Sequence, residues 1–136
     1  MHLDIGPFQL TSTFLRLRPD ASVEPLAVDG AFWQKLTTGQ LGNFHNEYMV
    51  GTHAFEADWP MWEMHPNGEE IVYLLSGSTT FILETAEGLH SFTLSESGSY
   101  LIVPKGTWHT AKTTDRCQLL FITAGEGTQH RSNGND

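Results

Sequence analysis

Two short segments of the 136-residue chain hold the side chains with the greatest chemical capacity, each set at fixed distances from turn residues. The first runs Trp62, Glu63, Met64, His65, Pro66, Asn67, Gly68, Glu69, Glu70. On a strand, Glu63 and His65 stand two apart and share a face. Pro66, Asn67 and Gly68 then reverse the chain so that Glu70 on the next strand can approach them. The second segment runs from Gly98 through an apolar stretch to Pro104, Lys105, Gly106, Thr107, Trp108 and His109. There a Pro/Gly turn ends one strand, and the returning strand places His109 on the same face as Thr107, Ala111 and Thr113. Imidazoles and carboxylates that converge in this way can ligate a divalent transition ion, or act as a general acid and base without one.

Positioning groups so far apart in sequence requires a sheet. After the first forty residues, apolar and β-branched runs recur every eight to twelve residues with turn residues between them. That pattern predicts short antiparallel strands in a sandwich or barrel. Strands are expected near Glu47 to Phe55, Met61 to His65, Glu70 to Leu75, Thr79 to Glu84, Leu89 to Leu94, Tyr100 to Val103, Thr107 to Thr113 and Cys117 to Thr123. Before Gly42, Leu15 and Leu17 alternate with Arg16 and Arg18 as in a half-exposed edge strand, and Pro19 and Pro25 then break the chain. Asp29 suits a helix N-cap, Phe32, Trp33 and Leu36 fall on one helical face, and Gly39 can end that helix. The expected organisation is therefore residues 1–41 as a strand and short helix packing on a barrel, 42–124 as the barrel, and 125–136 as a frayed tail with almost nothing apolar to offset its ordering.

Composition narrows the function classes. With 39% hydrophobic and 17% charged residues, the chain has the material for a core and reads as one domain. Seven Lys and Arg against sixteen Asp and Glu give a net charge of −9, which argues against nucleic acid as a partner. The single cysteine, Cys117, favours a reducing compartment over a disulfide-built secreted fold. No apolar run is long enough to span a membrane, and no leader is evident, so a cytoplasmic location is expected. Zinc-protease helices, phosphate-cradling loops and serine-hydrolase elbows are absent from the sequence.

The two segments resemble the paired motifs of the cupin superfamily. His65, Glu70 and Gly77 fall on the last three positions of its first motif, and Gly98, Pro104, Gly106 and His109 match the second. Two positions depart from the pattern: Glu63 stands where the family has its first His, and Thr113 where an Asn often closes the second motif. The resemblance implies an all-β, single jelly-roll barrel with an N-terminal edge strand and one short helix. It also implies one divalent transition metal per chain near a barrel mouth, with Fe, Mn or Zn the expected ions and Ni admissible. Glu63, His65, Glu70 and His109 would be its ligands. With both carboxylates bound the site would be neutral, whereas three His and one Glu would leave it cationic. Alternatively Glu63 turns away and serves as a base, leaving a two-His, one-carboxylate face with open positions, as in non-haem iron oxygenases. Without an ion, Glu63 and Glu70 would crowd as like charges, and at least one pKa should rise.

His53, Tyr48, Phe81 and Thr113 are expected around a substrate pocket. His45, Glu47, Met49 and His53 share one strand parity. Trp59, Trp62, Trp108 and Tyr73 read mainly as core, His90, His2 and His130 as solvated, and Cys117 as a buried structural thiol. The expected function is a metal-dependent, dioxygenase-like oxidoreductase acting on a small molecule. The alternatives are a non-catalytic binding or sensing cupin and a metal-free isomerase. A homodimer through the apolar face of residues 8–17 is expected from the same resemblance.

Overall fold

Val, Ile, Thr and aromatic residues alternating with polar ones fit a pleated surface that has one face in a core. The computed structural model describes residues 4–132, and this pattern there yields eleven strands and one helix. The strands are β1 (Thr13–Leu17), β2 (Val23–Ala27), β3 (Tyr48–Phe55), β4 (Met61–Met64), β5 (Glu70–Ser76), β6 (Thr79–Thr85), β7 (Gly88–Leu94), β8 (Tyr100–Val103), β9 (His109–Lys112), β10 (Cys117–Thr123) and β11 (Gln129–Ser132). The helix is α1 (Phe32–Thr37). One antiparallel sheet has the order β2-β1-β3-β10-β5-β8 and the other β11-β4-β9-β6-β7.

β5 and β6 show how the sequence selects its faces. Glu70, Val72 and Leu74 of β5, and Thr79, Phe81 and Leu83 of β6, are buried, and their neighbours are half exposed. The joint between them needs Gly77, because its φ is +80° and a Cβ there would lie 2.3 Å from the Arg116 carbonyl oxygen. Val72, Leu74 and Leu119 from one sheet meet Phe81, Leu83 and Ala111 from the other in the main core. Each large side chain buried there contributes about 2 kcal/mol relative to exposure. Cys117 lies in this core, fully buried, and burial pushes its thiol pKa up, as suits a structural residue.

The N-terminal segment departs from expectation. β1 is an interior strand, paired with β2 on one side and β3 on the other, so β2 is the sheet edge and carries Pro25 opposite Leu15. The faces are also the reverse of the simple alternation: Phe14 and Arg16 are buried, while Leu15 and Leu17 are only half buried. Arg16 tolerates this because Glu24 lies at 2.9 Å and Glu47 at 3.3 Å, the Leu41 carbonyl accepts from its guanidinium, and the Phe44 ring lies beneath it at 4.2 Å. Around Phe14 a second core gathers Leu26, Phe32, Phe44 and Met49. Helix α1 docks here through Phe32, edge-on to Phe14 at 5.4 Å, whereas Trp33 is half exposed. Asp29 still assists the helix start by accepting the Ala31 N–H at 2.9 Å, although Ala31 is the capping residue.

The tail expected to fray over 125–136 is instead a strand where it is described. β11 pairs with β4, setting His130 opposite Glu63 and Arg131 opposite Trp62. Composition misjudges this stretch because its ordering is offset by backbone bonds to an otherwise open edge and by Arg131. The Arg131 guanidinium sits over Trp62 and Trp108 at 5.2 and 4.6 Å and pairs with Glu84 at 2.5 Å. Residues 133–136, and His2, lie outside the described residues.

Candidate metal centre

The three best-placed donors come from both sheets. Glu70 opens β5 in one sheet, His109 opens β9 in the other, and His65 follows β4 at the turn toward β5. Gly68 makes that turn possible, since a Cβ there would fall 2.3 Å from the Ala124 Cβ. The Gly106 N–H donates to the His65 carbonyl at 2.9 Å, tying the second motif's turn to the first. All three side chains are buried, and one ligand atom from each lies within 4.8 Å of the others. His109 Nε2 is 3.1 Å from Glu70 Oε1, His65 Nε2 is 3.4 Å from Glu70 Oε2, and the ring centroids are 5.3 Å apart.

The surrounding hydrogen bonds fix which atoms face inward. His109 Nδ1–H donates to the Thr107 carbonyl at 3.0 Å. The Thr128 hydroxyl donates to the Gly125 carbonyl at 2.8 Å, so its oxygen accepts from His65 Nδ1–H, also at 2.8 Å. With protons on both Nδ1 atoms, each Nε2 presents a lone pair to the shared space. Thr123 donates its hydroxyl to Glu70 Oε2 at 2.5 Å. Among the described residues, His65 Nε2, His109 Nε2 and Glu70 Oε1 are buried without a hydrogen-bond partner. Three electron-rich atoms crowded together in this way are costly unless a cation or proton joins them, and the donor set fits a divalent transition ion.

The electrostatics agree. Burial alone would raise the Glu70 pKa, but His109 and His65 beside it outweigh that and hold the carboxyl at about 2. For His109, burial pulls the pKa down, and the Glu70 carboxylate overrides this and raises it. The expected rise from carboxylate crowding therefore does not occur at Glu70, whose nearest polar neighbours across the site are the two imidazoles and not Glu63.

Glu63 shares the His65 face, as the spacing requires, but stands at the margin, with Oε2 4.0 Å from His65 Nε2 and 3.8 Å from His130 Nε2. It lies outside the tight group formed by the other three. A cavity of about 830 Å³ opens over these residues, walled by Trp33, Leu36, Phe44, Trp59, Leu119 and Phe121, among others.

No family model matches the chain, and no curated protein does. Solved structures resemble it. Oxalate oxidase aligns at 14% identity over 60% of this chain and 44% of its own, with a TM-score of 0.50. Bacillus subtilis oxalate decarboxylase, a protein with Mn(II) centres, aligns at 19% identity over 64% of this chain and 23% of its own, with a TM-score of 0.50. Peruvianin-I, a cysteine peptidase from Thevetia peruviana latex, aligns at 14% identity over 62% and 56%, with a TM-score of 0.52. Oxalate oxidase and oxalate decarboxylase share the cupin fold with this two-sheet, antiparallel architecture. The chain has the cupin fold. At these identities the likeness concerns the fold alone, and a peptidase among the neighbours shows how little activity follows from it.

Within this cupin barrel the expected pocket residues separate. His53 lines the cavity, its ring stacked on Phe55 at 5.3 Å; partial burial lowers its pKa and Glu63 partly opposes this. Tyr48 does not line it: Met49 and His53 are the β3 residues that do, and strand alternation sends Tyr48 to the other face. Phe81 is fully buried in the core, 6.4 Å from the His109 ring, and backs the site without lining it. Thr113 lies past the end of β9 and fastens a turn, its hydroxyl 2.9 Å from the Ser78 carbonyl and 2.7 Å from that of Asp115. His45 and Glu47 precede β3 and pair with Glu126 and Arg16.

Sequence reasoning missed Thr123, Thr128 and His130. The parity of Thr128, His130 and Ser132 is strand-like, but the polar composition around it concealed a strand.

Proposed function

We propose that this cupin is a metal-dependent oxidoreductase of the dioxygenase-like kind, acting on a small organic molecule, with His65, Glu70 and His109 holding one divalent transition ion, Fe, Mn, Zn or Ni. The observation that carries the reading is the inward convergence of two Nε2 lone pairs and a Glu70 oxygen that lack hydrogen-bond partners, beneath an open cavity. Structural zinc sites are closed by four protein ligands, whereas this tight group has three, leaving positions for other molecules. A redox-active ion held there would supply Lewis acidity and electron transfer.

The chain's own residues supply the rest. Thr107, Thr128 and Thr123 orient the three donors, the aromatic walls exclude water, and Glu63 stands where it can accept a proton from a molecule in the cavity. The homodimer and the reducing, cytoplasmic setting belong to the same proposal. The dimer would form through the apolar face of residues 8–17. Among the described residues no helix is long and apolar enough to cross a membrane.

Elemental analysis of protein purified from metal-replete medium should give about one transition ion per chain, the stoichiometry of a single ligated site. Finding none after reconstitution with Fe(II), Mn(II) and Zn(II) would overturn the reading. Oxygen uptake by the Fe(II)- or Mn(II)-loaded protein with a cavity ligand separates an oxygenase from a binding protein.

A further inference from the structure

The cavity that leads to the proposed metal centre is chemically lopsided. Its walls are Trp33, Phe44, Trp59, Leu119 and Phe121 with further apolar side chains, and its volume, about 830 Å³, is far more than a two-carbon diacid fills. Among the described residues no Lys or Arg lines it. Arg16, over the Phe44 ring, is engaged with Glu24 and Glu47, and Arg131, next to His130, with Glu84. The charged protein group on the wall apart from the donor Glu70 is the acidic Glu63. Two carboxylates against one divalent ion leave the site neutral, and the chain as a whole carries −9, so an anion approaching the cavity meets no net attraction. The polar groups left on the wall, including His53, His130 and Thr37, are suited to one hydroxyl or N–H group.

From this we infer that the cavity takes an uncharged organic molecule with an apolar, ring-bearing body and discriminates against small carboxylates. The inference rests on the proposed function only in taking this cavity as the substrate site. It sets the chain apart from the oxalate enzymes whose fold it shares, since a carboxylate bound here would lie against Glu63 with no guanidinium or ammonium to receive it.

The test is calorimetric titration of Mn(II)-loaded protein near neutral pH with three probes: 2-naphthalenemethanol, 2-naphthoate, which has the same ring body, and oxalate. The alcohol is expected to bind at least about tenfold more tightly than the naphthoate, with oxalate weaker still, because Glu63 and Glu70 offset the charge of the ion and no cationic side chain on the wall repays the carboxylates' lost solvation. Glu63→Gln should narrow the gap between alcohol and naphthoate severalfold by strengthening naphthoate binding. Trp33→Ala, at a half-exposed position, should weaken the alcohol and leave oxalate unchanged, with circular dichroism confirming that the variant is folded. Equal or tighter binding of naphthoate or oxalate would overturn the inference, as would failure of all three probes to bind.

Repeating the titrations on metal-free protein keeps the two readings separate. If the chain takes up no ion, the proposed function fails while the preference for the alcohol should persist or widen. If the chain is loaded and naphthoate still binds best, the inference fails alone.

Discussion

Two clusters of buried or half-buried charge lie in this molecule, and they are built on opposite principles. In the N-terminal cluster Arg16 faces Glu24 and Glu47 at 2.9 and 3.3 Å, so each charge meets its opposite. In the barrel cluster His65, His109 and Glu70 turn lone pairs toward one another, and three of those atoms lack a hydrogen-bond partner. The first arrangement is balanced in charge, even though Arg16 Nε, 3.3 Å from Glu47, makes no hydrogen bond, and it holds the strand β1 against the loop before β3. The second is incomplete by itself, and its incompleteness is what allows it to bind something. Electrostatic compensation, more than burial or residue type, separates the structural cluster from the functional one.

Substitutions can break this contrast. Arg16→Met should cost about 2 kcal/mol, discounted for the exposure of Glu24, because it leaves Glu24 and Glu47 with only the half-exposed Arg18, at 3.0 and 3.8 Å, as their cation. For a domain of this size that loss lowers the melting temperature by roughly 8 °C. The metal content of the folded fraction should not change. His109→Gln should do the reverse. Its amide can donate to Glu70, so the metal-free protein should melt at the same temperature or higher, while the ion is lost from the purified protein. Scanning calorimetry beside elemental analysis checks both variants. Metal retained by His109→Gln, or lost on Arg16→Met, would show that the two clusters are not distinct in this way.

A smaller effect sharpens the contrast within the barrel cluster. Thr128→Val removes the acceptor that holds His65 Nδ1–H, so Nε2 is no longer fixed as the unprotonated nitrogen. The expected result is a loss of about 10- to 100-fold in metal affinity with little change in metal-free stability. Competition with a chromophoric chelator measures it. Affinity within twofold of the parent would mean that Thr128 serves only its own turn.

The difference in legibility between the clusters is physical. The convergence of His65, Glu70 and His109 is readable because strand parity and Pro/Gly turns fix where side chains go once a sheet forms, whereas Glu63, on the same face, stands outside that group. The same rules located β8 and β10 to the residue. The supporting hydroxyls of Thr123 and Thr128 were not readable, since a threonine's role depends on which distant donor reaches it. Arg16 misled for a related reason. Alternation of Leu and Arg points the leucines inward only if the arginine lacks buried partners, and Glu24 on β2 and Phe44 and Glu47 in the loop before β3 supply them from two separate segments. β11 was hidden because a polar strand is ordered by the edge it joins, and that edge is not visible in its own residues.

Proton and metal compete for the same lone pairs, which gives the contrast a pH dependence. Glu70 is held at about 2 against an ordinary 4.5, so its contribution to stability is present above pH 4.5 and fades as the pH falls toward 2. His109 has its pKa raised above 6.5, so in metal-free protein its contribution is full below pH 6.5 and is lost as the pH rises through the raised value. Metal-free protein should therefore be most stable between those limits, at mildly acidic pH. A bound ion replaces the proton on His109, so metal stabilisation should grow as the pH rises through that same value and shrink below it. Melting temperatures with and without the ion, followed from mildly acidic to mildly alkaline pH, should diverge steadily. His109→Gln should abolish the divergence, and the Arg16 cluster, which lies outside the ligand group, should add nothing to it. A constant gap between loaded and metal-free protein across the range would mean that His109 does not ligate the ion.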